Sequence, residues 1–218
     1  MPASKLKLYY SPGACSLASH MALEEAGADY EPVRVNFASS EQRSPDYLRL
    51  NPKGRVPVLV DGEFVITENP AILRYIARTH PDAKLWPEDP VAEARCMEWL
   101  AWICSGVHVT YAHVRRPERY ASSDAAKEDV IAKGRQSARE VWEAVEKKLA
   151  GASGPWAAGE TFSVADPYLL VFWTWGRGPT LGYDMARDFP RWTEHARRMA
   201  ERPAVQKIFE REGQQLPV

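Results

Sequence analysis

The first third of the chain alternates between runs with strand periodicity and runs with helical periodicity, in the order βαβαββα. The spacing predicts strands at 5–10, 30–35 and 56–60, with helices at 14–26 and about 41–49 between them. A strand that is followed by a helix can pair in parallel with the next strand, because the helix supplies the crossover. We therefore expect a mixed sheet with helices on its faces.

A turn signal closes this sheet. Asp61-Gly62 joins two apolar runs and predicts a β-hairpin. The next helix is expected to start at Asn69-Pro70, because Asn can cap a helix and Pro suits its first position. This pattern is typical of a thioredoxin-like domain, which we place at residues 1–80.

Beyond this point the pattern becomes helical throughout. Three prolines fall within 80–90, where neither periodicity is present, and they predict a linker at 81–89. An all-helical domain is expected over 90–218, with a long helix to about residue 113 and a polar helix over about 124–150. The predicted fold class is thus an α/β thioredoxin-like N-terminal domain plus an all-α C-terminal domain.

The end of the helical domain carries two further start signals. Ser163 and Asp166 have the spacing of a capping box and predict the start of a strongly apolar helix. Pro190 is expected to open a last amphipathic helix that ends before Arg202-Pro203, with a short helix behind it.

Composition narrows the class of partner. Hydrophobic residues make up 45% and charged residues 26%, which is typical of a globular protein that buries a sizeable core. The formal net charge of −1 gives no electrostatic footprint for nucleic acid or an anionic membrane, so neither is expected as a partner. Three cysteines without repeated spacing argue against a disulfide framework, and no signal peptide precedes the first strand. We therefore expect a cytoplasmic protein.

Cys15 follows the first strand and a turn at 11–13, close to a helix expected to begin near Ala14 or Ser16. The first turn of a helix presents unpaired N–H groups and the positive end of the helix dipole, which stabilise a thiolate. Such a position can lower the pKa of a thiol to roughly 3.5–7.5. The competing interpretation is that Cys15 is a small buried hydrophobic residue.

Several segments in a fixed order point to a known family. They are residues 10–20, 51–59, 67–73, 98–100, 108, 163–166 and 202–206. In these segments the chain resembles the glutathione S-transferases, and most closely the bacterial beta class. The resemblance implies that the N-terminal domain binds glutathione as a cosubstrate and that the helical domain supplies a pocket for a small hydrophobic electrophile. It also implies a homodimer. No metal is expected.

The resemblance assigns glutathione contacts to particular residues. Val56-Pro57 matches a cis-proline segment whose valine backbone pairs with the cysteinyl part of glutathione. Glu68 and Asn69 match an acidic-polar pair that receives the γ-glutamyl end, although Asn69 could instead only cap its helix. Ser105 is expected to add a further contact.

The chain also departs from the beta-class pattern. Ser39-Ser40 stand near where a lysine that reaches the glycine carboxylate of glutathione is expected. Three cations could compensate electrostatically, namely Arg55, Lys53 and Arg116. Of these, Lys53 is predicted to be part of the glutathione site.

The leading mechanistic hypothesis is conjugation. Cys15, helped by His108, would orient and stabilise the glutathione thiolate, which attacks an electrophile held against aromatic side chains. Candidate walls of the pocket are Tyr111, Trp102, Trp173 and Trp175. The alternative for His108 is a packed core histidine. Cys104 lies one turn from His108, but two such ligands are too few for a zinc site.

Three other hypotheses stay open. Cys15 could form a mixed disulfide with glutathione and carry out thiol-disulfide exchange or peroxide reduction. Tyr10 could instead be the hydroxyl donor to the glutathione thiolate. The chain could also be a non-catalytic module that binds glutathione or another ligand, because a fold does not fix an activity.

Overall fold

The computed structural model describes residues 6–217, so the predicted strand residue Lys5 lies outside the described residues. Four strands form one mixed sheet in the order β2-β1-β3-β4. They are β1 (Leu6–Tyr10), β2 (Tyr30–Arg34), β3 (Val58–Asp61) and β4 (Phe64–Thr67). β1 pairs in parallel with β2 and antiparallel with β3, and β3 pairs antiparallel with β4. The predicted mixed sheet is confirmed.

Ten α-helices are found in the described part of the chain. They are α1 (Leu17–Glu25), α2 (Pro45–Leu50), α3 (Asn69–Thr79), α4 (Pro90–Trp102), α5 (His108–Arg115), α6 (Asp124–Ala150), α7 (Ala165–Arg177), α8 (Met185–Asp188), α9 (Pro190–Ala200) and α10 (Pro203–Glu212). Helices α4 to α10 form the all-helical half. The linker bounds at 81–89 stay a prediction, although α4 begins at Pro90 with Asp89 accepting hydrogen bonds from two backbone N–H groups.

The core runs through both halves of the molecule. Helix α1 packs against α3 of the sheet half and against α7 and α10 of the helical half. One apolar cluster includes Leu8 of the sheet, Leu17 of α1, Trp99 of α4 and Phe172 of α7, all of which are fully buried. No helix between residues 6 and 217 is long and apolar enough to cross a bilayer.

One helix start and one hairpin turn differ from the prediction by one to three residues. Helix α1 begins at Leu17 rather than at 14 or 16, because its first hydrogen bond between residues four apart runs from the His20 N–H to the Ser16 carbonyl, whereas the Leu17 N–H bonds to a carbonyl three residues earlier. The hairpin loop is Gly62-Glu63, one residue later than predicted, since Asp61 still pairs with Phe64.

The long helix predicted from residue 90 is interrupted. A π-helical segment, Ile103–Val107, separates α4 from α5, which ends at Arg115. Side-chain hydroxyls of Ser105 and Thr110 donate to carbonyls four residues earlier, which loosens regular helix geometry here. Such segments often lie at functional sites.

The predicted capping box is half formed, because Asp166 accepts from the Ser163 N–H while the Asp166 N–H donates to the Ser163 carbonyl and not to its hydroxyl. The Asp166 carboxylate accepts hydrogen bonds from the Ser163 N–H at 2.7 Å, the Ala157 N–H at 2.7 Å and the His195 ring at 2.8 Å. All of these groups are buried, so Asp166 fixes the start of α7 in the core.

Candidate functional site

A cavity of about 780 Å³ lies between the sheet half and the helical half. We call its two sides the N-terminal wall (residues 11–15, 54–57 and 67–69) and the helical wall (104–120 and Trp175). Six of the nine predicted site residues line it, namely Cys15, Val56, Pro57, Glu68, Asn69 and His108. The fold therefore brings together chain segments far apart in sequence.

Cys15 lies in the turn before α1, two residues from its first residue. The turn is held by hydrogen bonds from the Ala14 N–H to the Ser11 carbonyl and from the Leu17 N–H to the Ala14 carbonyl, both 3.0 Å. The Cys15 thiol donates to the Val56 carbonyl at 3.5 Å. The Val56-Pro57 bond is cis, as predicted.

The pKa of Cys15 moves in the direction opposite to that expected for a thiol at the start of a helix. Burial raises it to about 12, and the nearby Glu68 carboxylate adds to the rise. The backbone N–H groups of Cys15 and Ser16 and the Arg55 guanidinium oppose it but do not outweigh desolvation. Of the two interpretations of Cys15, the raised pKa favours a neutral, buried thiol in the free protein near pH 7 over a thiolate.

Asn69 does not cap α3, because it is the first helical residue and Glu68 holds the cap position. Its amide is 3% exposed and joins two other elements. The Ser19 hydroxyl donates to Asn69 Oδ1 at 2.6 Å, and Asn69 Nδ2 donates to the Cys15 carbonyl at 2.8 Å. The side chain thus fixes the Cys15 turn against α1 and α3.

Glu68 stands at the edge of the cavity in an uncommon backbone conformation, with φ +75. Such conformations in residues other than glycine often occur at functional sites. Lys53 donates to the Glu68 carboxylate and, at 2.6 Å, to the Thr67 hydroxyl. Lys53 therefore supports Glu68 from outside, since it does not itself line the cavity.

His108 faces the cavity from the first turn of α5. Its ring packs edge-on against Phe172 at 5.4 Å and Trp175 at 5.2 Å. Burial lowers the pKa of His108 to about 4, and the Arg55 and Arg119 guanidinium groups lower it further. His108 is thus a neutral imidazole near pH 7.

Two of the four predicted aromatic residues form the helical wall. Tyr111 and Trp175 stack with ring centroids 4.4 Å apart, and Trp175 Nε1 donates to the Gly13 carbonyl at 2.9 Å. Trp173 is instead buried with its indole N–H bonded to Thr193, and Trp102 packs on Trp99 away from the cavity.

Tyr10 and Ser105 are not brought to the cavity of the single chain. Tyr10 is 8% exposed, and its ring lies 4.7 Å from that of His20 in the core beneath the sheet. Ser105 is exposed, with its hydroxyl bonded to the Ala101 carbonyl at 2.8 Å. Position in sequence placed both close to the site, but the side chains point elsewhere.

Sequence reasoning missed Glu212 at the end of α10. Its buried carboxylate accepts from the Gly13 N–H at 2.9 Å and bonds to His20 Nδ1 at 2.6 Å, which ties the C-terminal helix to the Cys15 turn. Gly13 and Glu212 are 199 positions apart in the sequence, so no local pattern could have revealed their contact.

Comparisons with known proteins agree with this architecture. The models for "Glutathione S-transferase, N-terminal domain" and "Glutathione S-transferase, C-terminal domain" match residues 4–78 and 105–203. Glutathione S-transferase GstA of Escherichia coli O157:H7 is 33% identical over 95% of this chain and 99% of its own length. The chain belongs to the glutathione S-transferase family.

Solved structures of glutathione transferases are similar to this chain over nearly its whole length. A glutathione transferase homologue from Sulfitobacter, with bound glutathione, superposes with a TM-score of 0.89 at 39% identity, covering 95% of this chain and 98% of that one. A bacterial beta class transferase from Sphingomonas chungbukensis gives a TM-score of 0.79 at 38% identity with the same coverage. The predicted fold class and the beta-class resemblance are confirmed.

Proposed function

We propose that this transferase joins the thiolate of glutathione to small hydrophobic electrophiles in the cavity between its halves. The observation that carries the proposal is the single cavity in which Cys15, Val56-Pro57 and Glu68 face the aromatic pair Tyr111 and Trp175. Glutathione bound to the Sulfitobacter homologue supports it.

In this proposal the N-terminal wall binds glutathione. The Val56 backbone pairs with the cysteinyl unit, and the Glu68 carboxylate offsets the α-ammonium group. Because both polar ends of the Asn69 amide are already bonded, its part is to hold the Cys15 turn, while the backbone N–H groups at the start of α3 receive the α-carboxylate. Lys53 orients Glu68, and Ser105 stays a predicted contact that lies outside this cavity.

The raised pKa of Cys15 favours a donor over a nucleophile. A neutral thiol can turn from the Val56 carbonyl and donate its S–H to the glutathione thiolate. That thiolate then forms the C–S bond, and the leaving group departs with the electron pair of the bond that breaks. Because His108 is already neutral near pH 7, its imidazole has a free nitrogen that can accept the proton of the glutathione thiol.

Thiol-disulfide exchange is the second candidate, because Cys104 also lines the cavity and gives it a second thiol. Burial raises the pKa of Cys15 and of Cys104, which lowers the thiolate share that exchange needs. Mass spectrometry after treatment with oxidised glutathione distinguishes the two. A glutathione adduct on Cys15 would favour exchange, and an unmodified Cys15 favours conjugation.

Retention on immobilised glutathione together with turnover of a chlorinated dinitrobenzene tests the main proposal. We expect both, and both should be lost when S-methylglutathione saturates the protein. Retention without turnover of several electrophile classes would contradict the proposal and support the non-catalytic module. Replacing Tyr10 by Phe should leave turnover intact, because its side chain does not reach the cavity.

We further propose a homodimer in the cytoplasm. Four apolar side chains on β4 and α4 are at least two-fifths exposed, namely Phe64, Val65, Val91 and Met97. All three cysteines are unpaired, which suits a reducing compartment. Sedimentation velocity checks the first part, where a monomer at micromolar concentration would contradict it.

A further inference from the structure

The cavity carries an excess of positive charge that the whole chain does not. Its lining contains five arginines but only two carboxylates, Glu68 and Glu118, although the chain has a net charge of −1. The five are Arg43, Arg55, Arg115, Arg116 and Arg119. Glu68 is already paired with Lys53, so its negative charge does not neutralise any of the five arginines.

These arginines differ from most others in the structure. Arg74, Arg139 and Arg202, for example, bond to carboxylates of Glu93, Asp188 and Glu25. By contrast, no side-chain hydrogen bond or ion pair joins any of the five cavity arginines to another residue in the described range 6–217. Unpaired guanidinium groups facing a cavity are suited to a ligand with a planar anionic group.

The backbones that carry them are nevertheless fixed. The Arg116 N–H donates to the Ala112 carbonyl at 2.8 Å, and the Arg119 N–H donates to the Arg116 carbonyl at 3.1 Å. Across the cleft, the Arg55 carbonyl accepts from the Tyr47 hydroxyl at 2.8 Å. The charged ends are therefore free while their attachment points are held.

Arg119 is close enough to both Arg55 and Arg116 to be repelled by their charges. Burial lowers the pKa of Arg119, and the charges of Arg55 and Arg116 lower it further, while the neighbouring Glu118 carboxylate opposes these effects without outweighing them. The charges of Arg55 and Arg119 also act on His108. A bound anion would relieve this repulsion, and it would lie within electrostatic reach of the groups proposed for the chemistry.

One ligand carboxylate does not account for all five. In the proposed binding mode, the glycine carboxylate of glutathione falls to Arg43 and Arg55, which line the cavity together with Ser40, near the position where the beta-class pattern has a lysine. Arg116 and Arg119 stand on the helical wall, on the same side as Tyr111 and Trp175. They are thus placed beside the surface proposed for the electrophile.

We propose that Arg116 and Arg119 form an anion subsite for an acidic group, a carboxylate or its equivalent, on the electrophile itself. The preferred cosubstrate is then an aromatic or apolar electrophile that carries one negative charge. This inference rests on the proposed transferase function and adds the substrate class. For an aryl chloride, the glutathione sulfur forms the C–S bond, chloride leaves with the C–Cl electron pair, and the thiol proton passes to His108 and from there to solvent.

Two electrophiles of similar shape but different charge test the subsite. A chloro-dinitrobenzoate and the corresponding chloro-dinitrobenzamide share the ring, the activating groups and the leaving group, and differ in charge. We expect a higher kcat/KM for the benzoate. The ratio of the two should fall about tenfold in Arg119→Gln and further in the double variant with Arg116→Gln. Arg78→Gln, an exposed position on α3 outside the cavity, should leave the ratio unchanged.

The same assay shows whether these arginines bind the carboxylate of glutathione instead of that of the electrophile. If the two variants raise KM for glutathione and leave the benzoate-to-benzamide ratio unchanged, the arginines serve the tripeptide and the inference is wrong. An unchanged ratio with an unchanged KM for glutathione would also overturn it.

Direct binding keeps the inference testable if neither electrophile is turned over, a result that would contradict the proposed function alone. Calorimetry with the protein saturated in S-methylglutathione should detect unreactive dinitrobenzoate and much weaker binding of dinitrobenzamide. Arg119→Gln should abolish this difference, whereas Arg78→Gln should keep it. Equal affinities for the two compounds would refute the subsite.

Discussion

The N-terminal wall and the helical wall of the cleft satisfy their polar groups in different ways. On the N-terminal wall the Asn69 amide, the Cys15 thiol and the Glu68 carboxylate are all bonded to neighbouring residues. On the helical wall Arg116 and Arg119 have no such partners within residues 6–217, and a neutral His108 lies among aromatic rings. The bonded groups of the N-terminal wall have fixed positions, which suits the proposed binding of glutathione, whose structure is the same in every reaction. The unpaired arginines of the helical wall remain available to an acidic group on the electrophile, as proposed above.

The largest expected effect comes from the most tightly bonded group of the N-terminal wall. Asn69→Ala removes two hydrogen bonds and leaves the buried Ser19 hydroxyl and Cys15 carbonyl without their partner, so the free energy of unfolding should fall by about 4 kcal/mol. Urea denaturation measures this. Asn36→Ala, an exposed asparagine, is the control. If both variants are equally stable, the N-terminal wall is not held in the way described.

His108 gives the next effect, through pH. Its pKa of about 4 in the folded protein lies below the ordinary value of about 6.5, so between these values the unfolded chain binds a proton that the folded chain does not. Stability therefore falls as pH drops from 6.5 to 4. His108→Phe should remove up to about 3 kcal/mol of this loss. Parallel stability curves for the parent and the variant over this range would contradict the account.

Trp175 joins the two walls and gives the smallest effect. Trp175→Phe keeps an aromatic ring beside Tyr111 but loses the hydrogen bond to the Gly13 carbonyl, at a cost of about 1 kcal/mol in stability. Because Gly13 lies in the Cys15 turn, KM for glutathione should rise along with this loss. Tyr111→Phe, which loses only a bond to Thr180, serves as the control and should leave that KM unchanged.

Local signals predicted the framework of this site. The alternating periodicities indicated the sheet, the match at 51–59 indicated the cis bond before Pro57, and Ser163 with Asp166 indicated the start of α7. Each of these three features depends on residues that are close together in the chain, so a local sequence pattern can predict it.

The features that the sequence did not reveal depend on distant residues. The rise in the pKa of Cys15 could not be derived from its position before a helix, because the desolvation that causes it comes from residues of the whole fold. Glu212 contacts Gly13 only through the packing of α10 on α1. The approach of Arg55 to Arg119 likewise needs both halves of the molecule.

The central claim is that glutathione binds with its sulfur beside the neutral thiol of Cys15. Ultraviolet absorbance of the thiolate, titrated with pH in the glutathione complex, tests it most directly, with S-methylglutathione as the blank. The account predicts that bound glutathione ionises below the ordinary thiol pKa of about 8.5 and that Cys15→Ala moves this ionisation to higher pH. The same titration curve for the parent and for Cys15→Ala would contradict it.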